Sequence, residues 1–406
     1  MIYTLQVLCA AVVKVTYELL VNPLCKFPGP KLAAVTRAPH IYHTLRGNVV
    51  DWVHDLHMTY GDVVRTCPDE LSYATGDAWK DICGHASAGK KATEKDMRFY
   101  GRSFNGALDI IRAPFADHAR LRRNFSNAFS DRALREQQSL ICQYADLLID
   151  KLNAVIEADP LATVEMVHMY NLTTFDIMGD LTFGDPLDLL KGTGNTAWVS
   201  SVFSSMKWST LRQASLYYPW TAPLLKRCIP KFVIEKAKSH YRSCIERVDK
   251  RVDRTLDRPD IWGLVLGQKE SLLLTRAEMY ANSHIFMLAG TETTATALSG
   301  LTYHLLMNPD KLQKITQEIR ATFQEDSDID ITTLAQMKYL NGCIEEGLRV
   351  YPPVPSGFPR LTPPEGMVIC GDYIPGKARS ILFFFFFFFF FFFFFFFFFF
   401  SNKPSR

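Results

Sequence analysis

From residue 49 onward, apolar side chains recur at helical spacing in long stretches, separated by short breaks rich in proline, glycine or acidic residues. The pattern predicts a helix over 49–60, short strands at Asp62-Val-Val-Arg65 and Leu71-Ser-Tyr73, and helical segments over 115–157, 162–184 and 231–257. Thr275 and Glu278 have the spacing of a capping box, and Asn308-Pro309 reads as a stop followed by a new start. The 32 residues between these signals make a helix of about 48 Å, longer than most globular helices. Pro309 opens a further helix to about Phe323, an acidic loop follows, and another helix is expected from near Met337 to Val350, closed by Pro352-Pro353. Strands are few and gather toward the two ends, so the fold class expected is mainly α with small β-sheets.

The beginning of the chain follows a different pattern. Residues 2–13 are mostly apolar, Lys14 and Glu18 interrupt, and Leu19-Leu-Val21 resumes before Pro23. A bilayer needs roughly 20 apolar residues, so residues 1–22 read as a marginal membrane anchor, against a buried or surface amphipathic helix. Lys26, Lys31 and Arg37 follow on one side, as the positive-inside rule expects. No basic region or convincing cleavage site marks a secretory signal. Phe27-Pro-Gly-Pro30 interrupts any regular element, because its prolines fix their backbone angles and lack donors. A globular domain is expected over 23–380. Beyond it, Ile381, Leu382 and the uninterrupted Phe383–Phe400 make 20 apolar residues before a polar end. Phenylalanine codons are pyrimidine runs, so the tail 381–406 reads as a translated intron or repeat; if made, it should drive β-aggregation or crude membrane insertion.

Composition changes this picture little. Lysine plus arginine is 45 against 42 for aspartate plus glutamate, so no global field draws the protein to nucleic acid. Eighteen of the 31 phenylalanines lie in the terminal run, so the aromatic content describes the tail and not the core. Nine scattered cysteines show no C-x-x-C pair or finger spacing, which fits reduced cytosolic thiols, and no metal-ligating residue is assigned. Asn124-Phe-Ser126 and Asn171-Leu-Thr173 match the glycosylation pattern by chance, each inside a helical stretch.

Candidate chemistry sits in the long helix, at Ala289-Gly-Thr-Glu-Thr-Thr294. Phe286, Ala289, Gly290, Thr293 and Ala297 share one face, cut down to small side chains from 289 onward. Something flat could approach the backbone there and meet the Glu292 carboxylate and the Thr293 hydroxyl. The plainer reading is close helix packing, with Thr293 bonding the carbonyl four residues back. Glu346-Gly-Leu-Arg349 lies on a helix whose apolar face is Leu340, Ile344 and Leu348, so its charges read as a solvated i,i+3 pair.

Ala289-Gly-Thr-Glu-Thr-Thr294 resembles the oxygen-binding motif of the cytochrome P-450 family of haem-thiolate monooxygenases, and Glu346-Gly-Leu-Arg349 matches its E-x-x-R. The order of parts also fits, from Phe27-Pro-Gly-Pro30 through the long helix and Asn308-Pro309 to Tyr351-Pro-Pro-Val-Pro-Ser356. The likeness covers about residues 17–375 and is nearest the membrane-bound class of filamentous fungi. It implies that Ala289 and Gly290 open a groove beside haem b, that Glu292 and Thr293 relay protons, and that Glu346 and Arg349 form a buried structural clamp. His118-Ala-Arg-Leu-Arg122 resembles W-x-x-x-R with His in place of Trp, so His118 and Arg122, with Arg360, are expected at the haem propionates. Without the resemblance, 118–123 is a solvated basic face, where Arg120 and Arg123 could meet an acidic flavoprotein reductase.

The family's axial cysteine motif, F-x-x-G-x-x-x-C-x-G, is not in this sequence. Cys370 comes nearest, with Gly366 four before it, but Pro363 and Asp372 stand where Phe and Gly are wanted. The thiolate favours O–O cleavage, so the chain as written is expected to lack normal activity and its haem binding is in doubt. The expected partners are an NADPH-dependent reductase, a hydrophobic small molecule and a membrane, at the cytosolic face of the endoplasmic reticulum, in secondary metabolism. Two other readings stay open: a non-catalytic remnant binding apolar ligand or membrane, and a helical transporter using 284–307 and 381–400 as spans. In the transporter, Glu292 would be costly without a partner. Substrate choice would fall to variable loops near 84–113 and 198–230.

Overall fold

The computed structural model describes residues 2–84, 92–194, 210–221, 223, 227, 229–254, 260–267 and 274–382. Parts of the expected substrate loops, 85–91 and 198–209, and the phenylalanine tail 383–406 lie outside the described residues. Two units are formed, the first from Met1–Arg102, Lys207–Cys228 and Pro355–Phe386, the second from Ser103–Met206, Ile229–Val354 and Phe387–Arg406. The mainly helical fold with small sheets is as the periodicity predicts.

In the first unit, helix Ile2–Thr16 runs into a π-turn, Tyr17–Val21, and together they form an apolar stretch of 20 residues with none buried. Glu18, the residue that mars the apolar pattern, has a structural use: its carboxylate accepts from Arg65 Nη2 at 2.8 Å and its carbonyl from Nη1. Helix Val49–Tyr60 has the predicted bounds. The strands are β1 (Val63–Cys67), β2 (Glu70–Tyr73), β3 (Glu94–Lys95), β4 (Arg360–Leu361), β5 (Met367–Ile369), β6 (Asp372–Ile374) and β7 (Arg379–Leu382). Five form a sheet in the order β1-β2-β7-β4-β3, and β5 and β6 form a separate hairpin. Strand β7 lies parallel to β2 with Glu70 opposite Arg379 and Tyr73 opposite Leu382. The globular part therefore runs at least two residues past position 380, and Ile381 and Leu382 belong to the sheet instead of the tail.

That register assembles a buried charge cluster. Glu70 is 1 % exposed and contacts Arg37 Nη1 at 2.8 Å and Arg379 Nε at 3.0 Å. Burial opposes the Glu70 charge, but Arg379 and Arg37 outweigh it and hold the carboxyl well below its ordinary range. The guanidinium carbons of Arg37, Arg379 and Arg98 lie 4.4, 5.1 and 5.7 Å from the Tyr217 ring centre, a cation–π arrangement that keeps these charges over an aromatic face.

The second unit is built on helices Phe115–Ser126, Asp131–Ala158, Met166–Phe183, Lys231–Val252, Pro309–Thr322 and Lys338–Val350 around the long helix Arg276–Leu306. The long helix begins at the expected capping box, Thr275 and Glu278 satisfying each other's backbone donors. Its core is aromatic: Trp262, Phe125, Phe175 and Phe183 are buried, and the Phe125 and Phe286 rings meet edge to face at 4.9 Å. Trp262 Nε1 donates to Ser283 Oγ at 2.9 Å, so the indole enters the core with its polar atom paired.

Candidate active site

The motif on the long helix divides its small and polar residues between two directions. Positions 289, 292, 293 and 296 share one arc at 100° per residue, and all four are partly exposed. Gly290 and Thr291 turn elsewhere. A Cβ on Gly290 would lie 2.6 Å from Met178 Sδ, so the missing side chain is used by helix Met166–Phe183 packing against the long helix. Within this unit the glycine serves close packing, the plainer of the two expectations, and its Cβ direction holds no free cradle for a flat group. Thr291 is fully buried and donates to Met287 O at 2.6 Å.

Glu292 stands on the open arc, and burial alone pushes its carboxyl above the ordinary range. Among the described residues no cation pairs with it. Next along the chain, Thr293 Oγ1 donates to Ala289 O, one turn back, at 2.6 Å, the back-bond expected of a helical threonine. Its oxygen keeps lone pairs to accept a further proton donor. The helix thus presents an acid and an alcohol on the same partly exposed arc.

His118 and Arg122 lie four apart on helix Phe115–Ser126, on the same side and both half-buried. Arg120 differs from expectation. Instead of standing free for a partner protein, it pairs with Glu278, the acid of the capping box. Burial opposes the Glu278 charge, and the hydrogen bonds from Arg120 and Thr275 overcome it and lower its pKa. Arg123 remains exposed. Asn124, in one glycosylation match, is fully buried, and Asn171, in the other, donates to Val167 O at 2.8 Å inside its helix.

Glu346 and Arg349 form a two-pronged pair, both contacts 2.7 Å, on helix Lys338–Val350. Their side chains are 60 % and 42 % exposed. The expectation of a buried clamp is therefore corrected: the contacts are made, but on a helix with no buried residue. Geometry satisfies the pattern while the environment is that of a surface pair.

In the first unit, Arg360 occupies β4, opposite Lys95 and Ser380. Its Nε is buried without a hydrogen-bond partner, and burial raises the nearby Cys83 thiol to about 11 against the pull of Arg360. A buried donor left open in this way suits an anionic oxygen, which fits the acidic edge of a porphyrin. The described thiols fit its iron less well. None of them stands in an F-x-x-G-x-x-x-C-x-G segment, the pattern in which the family holds its axial cysteine. Cys370 sits exposed in the β5–β6 turn at φ 49°, its N–H bonded to Asp81. Arg360 therefore suits the propionate side of haem, and no step is derived through the group.

Met178 and the Arg120–Glu278 pair escaped the sequence reading. The only signal for either was the paired placement of a glycine and a flexible side chain, or of opposite charges, on helices distant along the chain.

A profile of the cytochrome P-450 family matches residues 28–383. The chain is 44 % identical over 367 residues to cytochrome P-450 monooxygenase efuB of Hormonema carpetanum, covering 90 % of this chain and 73 % of that protein. It is 41 % identical to the monooxygenase FUM2 of Gibberella moniliformis, with 89 % and 77 % covered. To the monooxygenase lcsI of Purpureocillium lilacinum it is 39 % identical, with 90 % and 71 % covered.

Proposed function

Because the chain belongs to the cytochrome P-450 family, we propose that its long helix is the oxygen-side element of a haem-dependent monooxygenase of hydrophobic small molecules. We further propose that the 406-residue polypeptide alone does not hold haem through a thiolate. Haem, when bound, supplies a redox-active iron for oxygen chemistry.

The observation that carries the reading is Glu292, a half-buried carboxyl with a raised pKa and no cation beside it among the described residues. An ordinary surface glutamate is ionised at neutral pH, whereas one shifted upward holds a proton closer to working pH and can give and retake it. Thr293, anchored through its proton to Ala289 O, offers an acceptor oxygen at a fixed height on the same arc. His118, Arg122 and Arg360 are assigned to anionic oxygens at the cofactor edge. Helix Ile2–Val21, about 30 Å long at 1.5 Å per residue, is proposed as a membrane anchor, with the globular part on the cytosolic face of the endoplasmic reticulum. An NADPH-dependent flavoprotein reductase would supply electrons, with Arg123 as a contact, since Arg120 is already paired.

Reduced, carbon-monoxide-treated protein should show no thiolate-type absorption shift. A clear shift would refute the missing-ligand proposal. Sequencing the transcript beyond codon 376 tests the same point: a continuing frame with the cysteine motif would restore the enzyme. In such a restored chain, Glu292→Gln should cut product formed per electron consumed; unchanged coupling would remove the proton-handling role.

A further inference from the structure

Two helices of the second unit bring two imidazoles and a thiol together at a place no part of the proposed function uses. His240 and Cys244 stand four residues apart on helix Lys231–Val252 and so on one side of it. His284 projects from the long helix, two turns before Glu292. One ligand atom from each residue lies within 4.8 Å of the others. His240 and Cys244 are 3 % and 0 % exposed. His284 Nδ1 is enclosed and has no hydrogen-bond partner.

The surroundings are aromatic. The His240 and His284 ring centres are 4.7 Å apart, with Phe104 and Tyr241 at 5.5 and 5.9 Å from His284. The Tyr241 hydroxyl is also buried without a partner. A neutral imidazole presents one basic nitrogen to a cation, and His284 Nδ1, enclosed without a hydrogen-bond partner, is placed to do so. A histidine pair hydrogen-bonded to each other beside an inert thiol would be the simpler arrangement, but that bond is not made, because His284 Nδ1 has no partner.

We propose that His240, Cys244 and His284 bind a zinc ion that ties helix Lys231–Val252 to the long helix. Two nitrogens and one sulfur suit a borderline-soft d10 ion and not magnesium or calcium, which take oxygen. Bonds of about 2.0–2.3 Å in a tetrahedron hold ligand atoms roughly 3.3–3.7 Å apart, so the three atoms close by about 1 Å through rotamer adjustment. Water takes the fourth position, and the Cys244 proton leaves to solvent as the thiolate–zinc bond forms. The sequence reading assigned no metal because it weighed only cysteine spacings and passed over the i,i+4 histidine–cysteine pair.

The test uses the full chain, stripped of metal and without added haem, titrated with zinc and with cobalt(II) as a spectroscopic probe. About one zinc per chain should survive gel filtration, and the cobalt form should show a thiolate-to-metal charge-transfer band. Cys244→Ser should abolish that band, and His284→Gln should weaken zinc binding by at least about 10-fold. The unmutated chain is read first, so a variant that fails to fold cannot hide the answer. No zinc retained, no charge-transfer band, or a band that persists in folded Cys244→Ser would each overturn the proposal.

Discussion

Glu70 and Glu346 each hold an arginine within hydrogen-bonding distance, yet one carboxylate is 1 % exposed and the other 60 %. The first is assembled by topology: β2 meets β7 and Arg37 arrives from another part of the chain. The second is assembled by three residues of helical rise. The sequence advertises the local pair through a motif, while the buried one leaves no local trace. Energetic stake follows burial and not motif. A carboxylate enclosed with two guanidiniums cannot be removed without stranding charge, whereas water replaces either member of a surface pair.

The strongest way to break this contrast is Glu70→Ala. It should destabilise the folded chain by about 3–5 kcal/mol, measured by denaturant unfolding; a loss near 1 kcal/mol would mean water reaches Arg37 and Arg379. Next comes Gly290→Ala, whose added carbon meets Met178 and should cost about 1–3 kcal/mol. Combining it with Met178→Ala should recover part of the loss, as a double-mutant cycle, and strict additivity would show that the two do not touch.

Glu292 sharpens the contrast through pH. Its folded pKa is raised by burial, so folding binds the proton more tightly and stability falls as pH rises from the unfolded value near 4.3 through the folded one. Glu70, held low by its arginines, has the opposite sign and loses stability as pH falls. Thermal unfolding of Glu292→Gln should show its largest Tm gain over the parent above that window and none below it; a pH-independent difference would remove the burial argument. The smallest effect belongs to Glu346→Ala, which should leave Tm within error of the parent in this chain, checked by calorimetry. A large drop would show that the pair is enclosed in solution.

Much of the helical frame was legible because it is written in local chemistry. Helix Val49–Tyr60 and the capping box at Thr275 were found at their observed positions, since periodicity and caps act over one or two turns. Strand β7 was missed because its residues, Arg379–Leu382, carry only a short apolar hint beside a phenylalanine run. Pairing with β2 is a non-local fact. The same limit hid the occupant of the space at Gly290, where a small residue signals close approach without saying what approaches. It also hid the Glu278 partner of Arg120.

The placement of β7 has a consequence for how the protein is made. Strand β2 leaves the ribosome about 300 residues before its parallel neighbour exists, roughly 15–60 s at ordinary elongation speeds. Throughout that interval the β1–β2 hairpin offers a bare edge to any other nascent strand, with Glu70 lacking its β7 counter-ion. Translation tempo and chaperone supply should therefore govern the yield of soluble product more than the finished molecule's stability does.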